Sequence, residues 1–109
     1  MQEDSDGIVD NEKVILVDKN LRSGEAIKAD SDVVVTGRIN SGALVETSKN
    51  AVILDVVDGD VRVDGDFVII KTIKKGSVML KGVLLDKDAL DGELKMAFYK
   101  DGITYRGIK

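Results

Sequence analysis

One short pattern occurs four times along the middle of this chain: an apolar run, a bend containing glycine, and a second apolar run. The copies are VILVDKNLRSGEAI from Val14, VVVTGRINSGALV from Val33, VILDVVDGDVRV from Val52 and VIIKTIKKGSVML from Val68. Their bend glycines, Gly24, Gly42, Gly59 and Gly76, follow one another at steps of 18, 17 and 17 residues. A fixed step of that size, with β-branched runs in every copy, is the sequence signature of a solenoid.

One copy alone cannot bury its apolar side, whereas stacked copies share a continuous core. A coil of this length accommodates about three short strands and tight corners at ~3.3 Å per strand residue, with coils about 4.8 Å apart. The bends KNLRSG, RINSG and VVDG break the six-residue beat of a left-handed hexapeptide helix. The expected fold is therefore all-β: a short right-handed three-sided parallel β-helix of about four coils, closed by a C-terminal hairpin.

Composition narrows the chemistry. The 109 residues hold no cysteine and no histidine, so neither disulfides nor thiolate or imidazole metal ligands are available. No apolar run approaches the length of a membrane span, and a cytoplasmic protein is expected. The net charge of −4 is unevenly spread: Glu3, Asp4, Asp6, Asp10 and Glu12 lie in the first twelve residues without a compensating base. Residues 1–12 read as an acidic, solvated leader, and residues 13–109 as the folded domain. Beyond the leader 15 acids face 16 bases, which leaves no basic footprint for nucleic acid.

The first strand of each coil is apolar at both alternating positions, although a solenoid strand has one side facing outward. With Val14, Leu16, Val33, Val35, Val52, Leu54, Val68 and Ile70 directed inward, Ile15, Val34, Ile53 and Ile69 form an outward ladder. Such a patch marks a protein interface, here a homodimer; the competing expectation is that the C-terminal segment folds back over it. The third strand of each coil, in EAIK, ALVE, DVRV and SVML, mixes apolar and polar positions and predicts one wet side. Past Gly82 the repeat stops. LLDKDALDGE predicts a short helical turn or irregular link, and ELKMAFYKDGITYRGI predicts a hairpin turning at Lys100-Asp101-Gly102, capping the solenoid.

Two bends carry a more specific pattern. Arg22-Ser23-Gly24-Glu25 is followed one coil later by Asn40-Ser41-Gly42-Ala43. Stacked, these corners make one patch. The glycines suit sharp corners regardless of function, and Arg22, as an ordinary surface arginine, would simply be solvated; at a bend, however, its rigid five-donor fork suits a carboxylate on a partner. From Asn20 to Glu46 the chain resembles the C-terminal domain of the septum-site determining protein MinC family, which shows an Arg-Ser-Gly-Gln motif and, later, a Gly-Ala loop. Glu25 stands where that family has glutamine, and Asp58-Gly59-Asp60 occupies a bend where many of its members carry arginine.

The resemblance implies a homodimeric right-handed β-helix that binds the ATPase MinD through Arg22, Ser23, Gly24, Glu25, Asn40, Ser41, Gly42 and Ala43. It further implies recruitment to the inner membrane surface only through MinD, a role in blocking misplaced FtsZ assembly, and no cofactor. On this reading the chain is the C-terminal half of such a protein, with the acidic leader as its former linker. An enzyme is the rival class, but without His, Cys or a phosphate-binding loop the usual acid–base and nucleophilic routes lack their residues. A self-polymerising scaffold of the bactofilin type is the non-enzymatic alternative.

Overall fold

A computed structural model describes residues 13–108; the expected leader, residues 1–12, lies outside the described residues. Eleven strands follow in chain order: β1 Ile15–Val17, β2 Ala26–Ala29, β3 Val33–Val35, β4 Leu44–Thr47, β5 Ala51–Ile53, β6 Asp60–Val63, β7 Phe67–Ile70, β8 Ser77–Leu80, β9 Val83–Leu84, β10 Lys95–Tyr99 and β11 Ile103–Gly107. Through β8, odd and even strands part company. One sheet has the order β1-β3-β5-β7-β10-β11 and the other β2-β4-β6-β8-β9. Within the repeat every pairing is parallel, so the chain winds as a four-coil β-solenoid.

The third side is reduced to single bridges: Leu21, Ile39, Val57 and Ile73 pair in parallel, one per coil, and the first three are fully buried. Around them lie Val33, Val35, Val45, Ile53, Val61, Val68, Ile70, Val78 and Leu80, all at 2% exposure or less. Each such side chain contributes about 1.5–3 kcal/mol of apolar burial. Thr47 is the buried polar residue of this stack; its hydroxyl donates to the Ser31 carbonyl and accepts the Lys49 N–H. Between coils, side chains also replace missing backbone partners: Asn20 Oδ1 accepts the Arg38 N–H at 2.8 Å and Asp32 Oδ1 the Asn50 N–H at 3.0 Å.

The outward ladder exists, but its membership differs from the expectation. Register places Leu16 beside Val34, Val34 beside Val52 and Val52 beside Ile69. Val34 and Ile69 are outward as expected. Ile53 is instead fully buried, Ile15 shares the inward register of Val33, and Leu16 and Val52 take their outward places. Val14 and Leu54, expected inside, are 54% and 37% exposed. The physical reason is phase: in β5 the small Ala51 takes the inward position level with Val33, and in β1 it is Ile15, the second residue of its run, that lies level with Val33, so both runs sit one residue out of step with the expectation.

The C-terminal segment extends the first sheet rather than covering its ladder. β10 runs antiparallel to β7, with Met96 beside Ile69 and Phe98 beside Phe67, and β11 pairs back onto β10. The turn at Lys100-Asp101-Gly102 is formed as expected, with Asp101 and Gly102 at φ 56° and 119°. β9 folds antiparallel onto β8, and a 3₁₀ turn at Lys87–Ala89, capped by the Asp86 carboxylate, links it to the hairpin. Tyr105 locks this link, its hydroxyl accepting the Asp86 N–H at 2.8 Å.

Candidate partner-binding site

The four corners that lead from the bridge residues into the second sheet are not equivalent. Four residues span the first, Arg22 to Glu25, and four the second, Asn40 to Ala43; only Asp58 and Gly59 span the third, and Lys74 to Gly76 the fourth. In the first, the Glu25 N–H donates to the Arg22 carbonyl at 3.0 Å with Gly24 at φ 90°; in the second, the Ala43 N–H donates to the Asn40 carbonyl at 3.0 Å with Gly42 at φ 88°. Both are β-turns whose third position requires a left-handed residue, which glycine supplies without steric cost.

The two turns stack directly. The Gly24 N–H donates to the Gly42 carbonyl at 3.0 Å, and a Cβ on Gly42 would lie 2.4 Å from Ser23 Oγ. Asn40 ties the coils further, its backbone N–H and its Nδ2 both donating to the Leu21 carbonyl, at 3.1 and 2.8 Å. Thus Arg22, Ser23, Gly24, Glu25, Asn40, Ser41 and Gly42 form one exposed or half-exposed patch. Ala43 is different: it is 1% exposed and packs in the core, so its side chain serves the fold and not the surface.

The third and fourth corners use glycine for another purpose. Neither Gly59 nor Gly76 has positive φ; a Cβ on Gly59 would lie 2.5 Å from the Asn40 carbonyl oxygen, and one on Gly76 only 1.6 Å from the Gly59 carbonyl oxygen. The even glycine spacing in the sequence therefore conceals two kinds of corner.

Electrostatics divide the site in the same way. Glu25 Oε2 pairs with Lys19 Nζ at 2.8 Å and Oε1 accepts the Arg22 N–H at 2.7 Å. The Lys19 ammonium first, and then the Arg22 amide, hold the Glu25 carboxyl below its usual range. One coil further, Arg38 grips Asp58 through Nε and Nη2, at 3.0 and 2.5 Å, and this guanidinium is the main cause of a lowered Asp58 pKa. Among the described residues no ion pair reaches the Arg22 guanidinium. Lys19, Asn20, Arg22, Glu25 and Asn40 line a shallow depression of about 590 Å³ at the corner.

Sequence reasoning missed Lys19, Asn20 and the Arg38–Asp58 pair. A usable signal was present: a polar residue directly flanks each buried bridge position, at Asn20, Arg38 and Asp58. A second depression, of about 490 Å³, lies on the outward side of the second sheet, where Lys28, Glu46, Arg62 and Met79 stand in register; it is the wet face expected from the alternating pattern.

No family model matches the chain. It is similar to the "Probable septum site-determining protein MinC" of Helicobacter pylori (strain J99), with 25% identity over 73 residues. That alignment takes in 67% of this chain and 38% of the relative, so the chain spans well under half of the relative's length. Among solved structures it is similar to a chain of the MinC:MinD cell division protein complex of Aquifex aeolicus, with a TM-score of 0.72 and 15% identity over 90% of this chain and 88% of that one. At such identity the structural likeness establishes the β-solenoid fold. The similarity to MinC in sequence agrees with the resemblance carried by the corner motifs.

Proposed function

We propose that this chain is a non-enzymatic interaction domain of a cell division inhibitor, binding a MinD-type ATPase through its two stacked four-residue corners. The observation that carries this reading is the Gly24 N–H bond to the Gly42 carbonyl, which merges the Arg22–Glu25 and Asn40–Ala43 motifs into a single surface. The names of the two relatives, a septum site-determining protein and a MinC:MinD complex, support the partner and the process. In this role the domain reaches the membrane only through the ATPase and helps to suppress misplaced FtsZ assembly.

The same reading makes the domain a homodimer through the apolar ladder Leu16, Val34, Val52 and Ile69, which Met96 and Phe98 continue across the hairpin. Val52→Asp is expected to yield folded monomers in sedimentation, because an unpaired carboxylate buried at an interface costs several kcal/mol. A parent chain that sediments as a monomer at high micromolar concentration removes the dimer from the proposal.

The partner is tested by titrating ATP-loaded MinD of the same organism. Arg22→Ala should weaken binding by about 1.5–3 kcal/mol, roughly ten- to hundred-fold, through loss of a charge-assisted contact. Gly42→Asp should abolish it, since the new side chain meets Ser23 and stands near Glu25. Asp60→Ala, at the first position of β6 just past the short third corner, should bind as the parent does. Parental binding by both corner variants would sink the site while leaving the fold intact. Long filaments of the isolated chain in negative stain would favour the scaffold instead.

A further inference from the structure

We infer that Glu25 is the positioning residue of this site: its carboxylate fixes the Arg22 turn and cancels the charge of Lys19, so that the Arg22 guanidinium is the cation offered to an acidic group on the partner. The inference rests on the proposed partner site and names what makes it selective. Its basis is geometric. One carboxylate oxygen accepts the Arg22 N–H at 2.7 Å and the other holds Lys19 Nζ at 2.8 Å, so a single side chain joins the residues on either side of the buried Leu21.

Without that carboxylate, the Arg22 N–H loses its acceptor and two cations, Lys19 and Arg22, stand unbalanced at one corner. A glutamine at position 25 supplies only half of the arrangement. Its carbonyl can accept the Arg22 N–H, but its NH₂ group then faces an ammonium that also has only donors. Lys19 and Glu25 are thus a matched pair: the carboxylate is needed because the lysine is there. A neutral side chain at position 19 should remove that requirement.

The test is a set of four variants: Glu25→Ala, Glu25→Gln, Lys19→Met and Lys19→Met/Glu25→Gln. Two readouts are taken on the intact chain, amide hydrogen exchange at Arg22 by NMR and binding of ATP-loaded MinD. Glu25→Ala should speed Arg22 exchange about two- to tenfold, the range set by one hydrogen bond, and weaken binding by a similar factor. Glu25→Gln alone should show both defects, and the double variant should recover both toward the parent.

Glu25→Ala with parental exchange and parental binding overturns the inference. So does a double variant no better than Glu25→Gln, because the lysine would then not be what demands the carboxylate. Failure of the parent chain to bind MinD at all overturns the proposed function and with it the role toward that partner, while the exchange arm still decides whether Glu25 orders the turn. The two failures are therefore read separately.

Discussion

The first two corners and the last two solve the same geometric problem by opposite means. At Arg22–Glu25 and Asn40–Ala43 the chain spends four residues on a turn that projects from the coil, with glycine at positive φ. At Asp58–Gly59 and Lys74–Gly76 it takes the shortest route, and glycine is needed because backbone lies where a side chain would be. The long corners display a row of groups to the outside, whereas at the short ones the glycine sits against backbone and Asp58 is taken up by Arg38, leaving Lys74 and Lys75 as their exposed side chains. Motif-bearing residues fall in the first pair, where a projecting turn presents several side chains of adjacent coils together.

Glycine-to-alanine substitutions are the direct way to break this contrast. Gly76→Ala should be the most damaging, costing about 4 kcal/mol or more in urea denaturation, because its Cβ would overlap a carbonyl oxygen that cannot move alone. Gly42→Ala should cost about 2 kcal/mol: the left-handed backbone penalty applies, but the clash is with the movable Ser23 hydroxyl. Gly24→Ala should cost only about 1–2 kcal/mol, since nothing lies within 4 Å of its Cβ. An equal cost at all three positions would erase the distinction.

Acid titration sharpens it further. Glu25 on a long corner, Asp58 on a short one and Asp91 before the hairpin all have pKa values lowered in the folded protein, by Lys19, by Arg38 and by the Glu93 N–H respectively. Their contribution is fully present above the unfolded carboxylate range of about 4 and is lost as pH falls through the lower folded values. Thermal melts should therefore be flat from neutral pH down to about pH 5 and fall below about pH 4. Asp58→Asn should flatten part of that fall by removing the Arg38-linked share. The smallest effect is expected from Asp60→Ala, which loses one exposed hydrogen bond, from Ser77 Oγ at 2.9 Å, and should change stability by about 0.5 kcal/mol or less.

The period, the coil count, the hairpin and the stacking of Gly24 on Gly42 were legible because each rests on glycine placement and β-branched runs. Strand parity was not. In VILV and AVIL every position is apolar, so alternation gives no phase, and only the inward Ala51 and its register with Val33 decide that Val52 faces out. The two-residue shortening of the third corner was hidden for a related reason: Gly59 keeps a 17-residue step from Gly42 although the flanking buried positions Ile39 and Val57 are 18 apart. Of the site, the motif residues were visible, whereas Lys19 and the Arg38–Asp58 pair depend on side chains meeting across coils and leave only faint marks in the chain.

The antiparallel cap gives the molecule a direction in time as well as in space. β10 and β11 meet across a three-residue turn, whereas each coil must bring together residues about 17–18 positions apart before its first pairing forms. The closure cost differs by on the order of 1.5 kcal/mol, so this hairpin and the still tighter β8–β9 reversal across Lys81 and Gly82 are the cheapest contacts to nucleate. Assembly should then proceed backwards, from β7 upon the hairpin toward β1, each coil templating the one before it in sequence. Pulse-labelled exchange during refolding should protect Ala97 before Val68, and Val68 before Val33, so that the two corners with the motif are the last part of the chain to take shape.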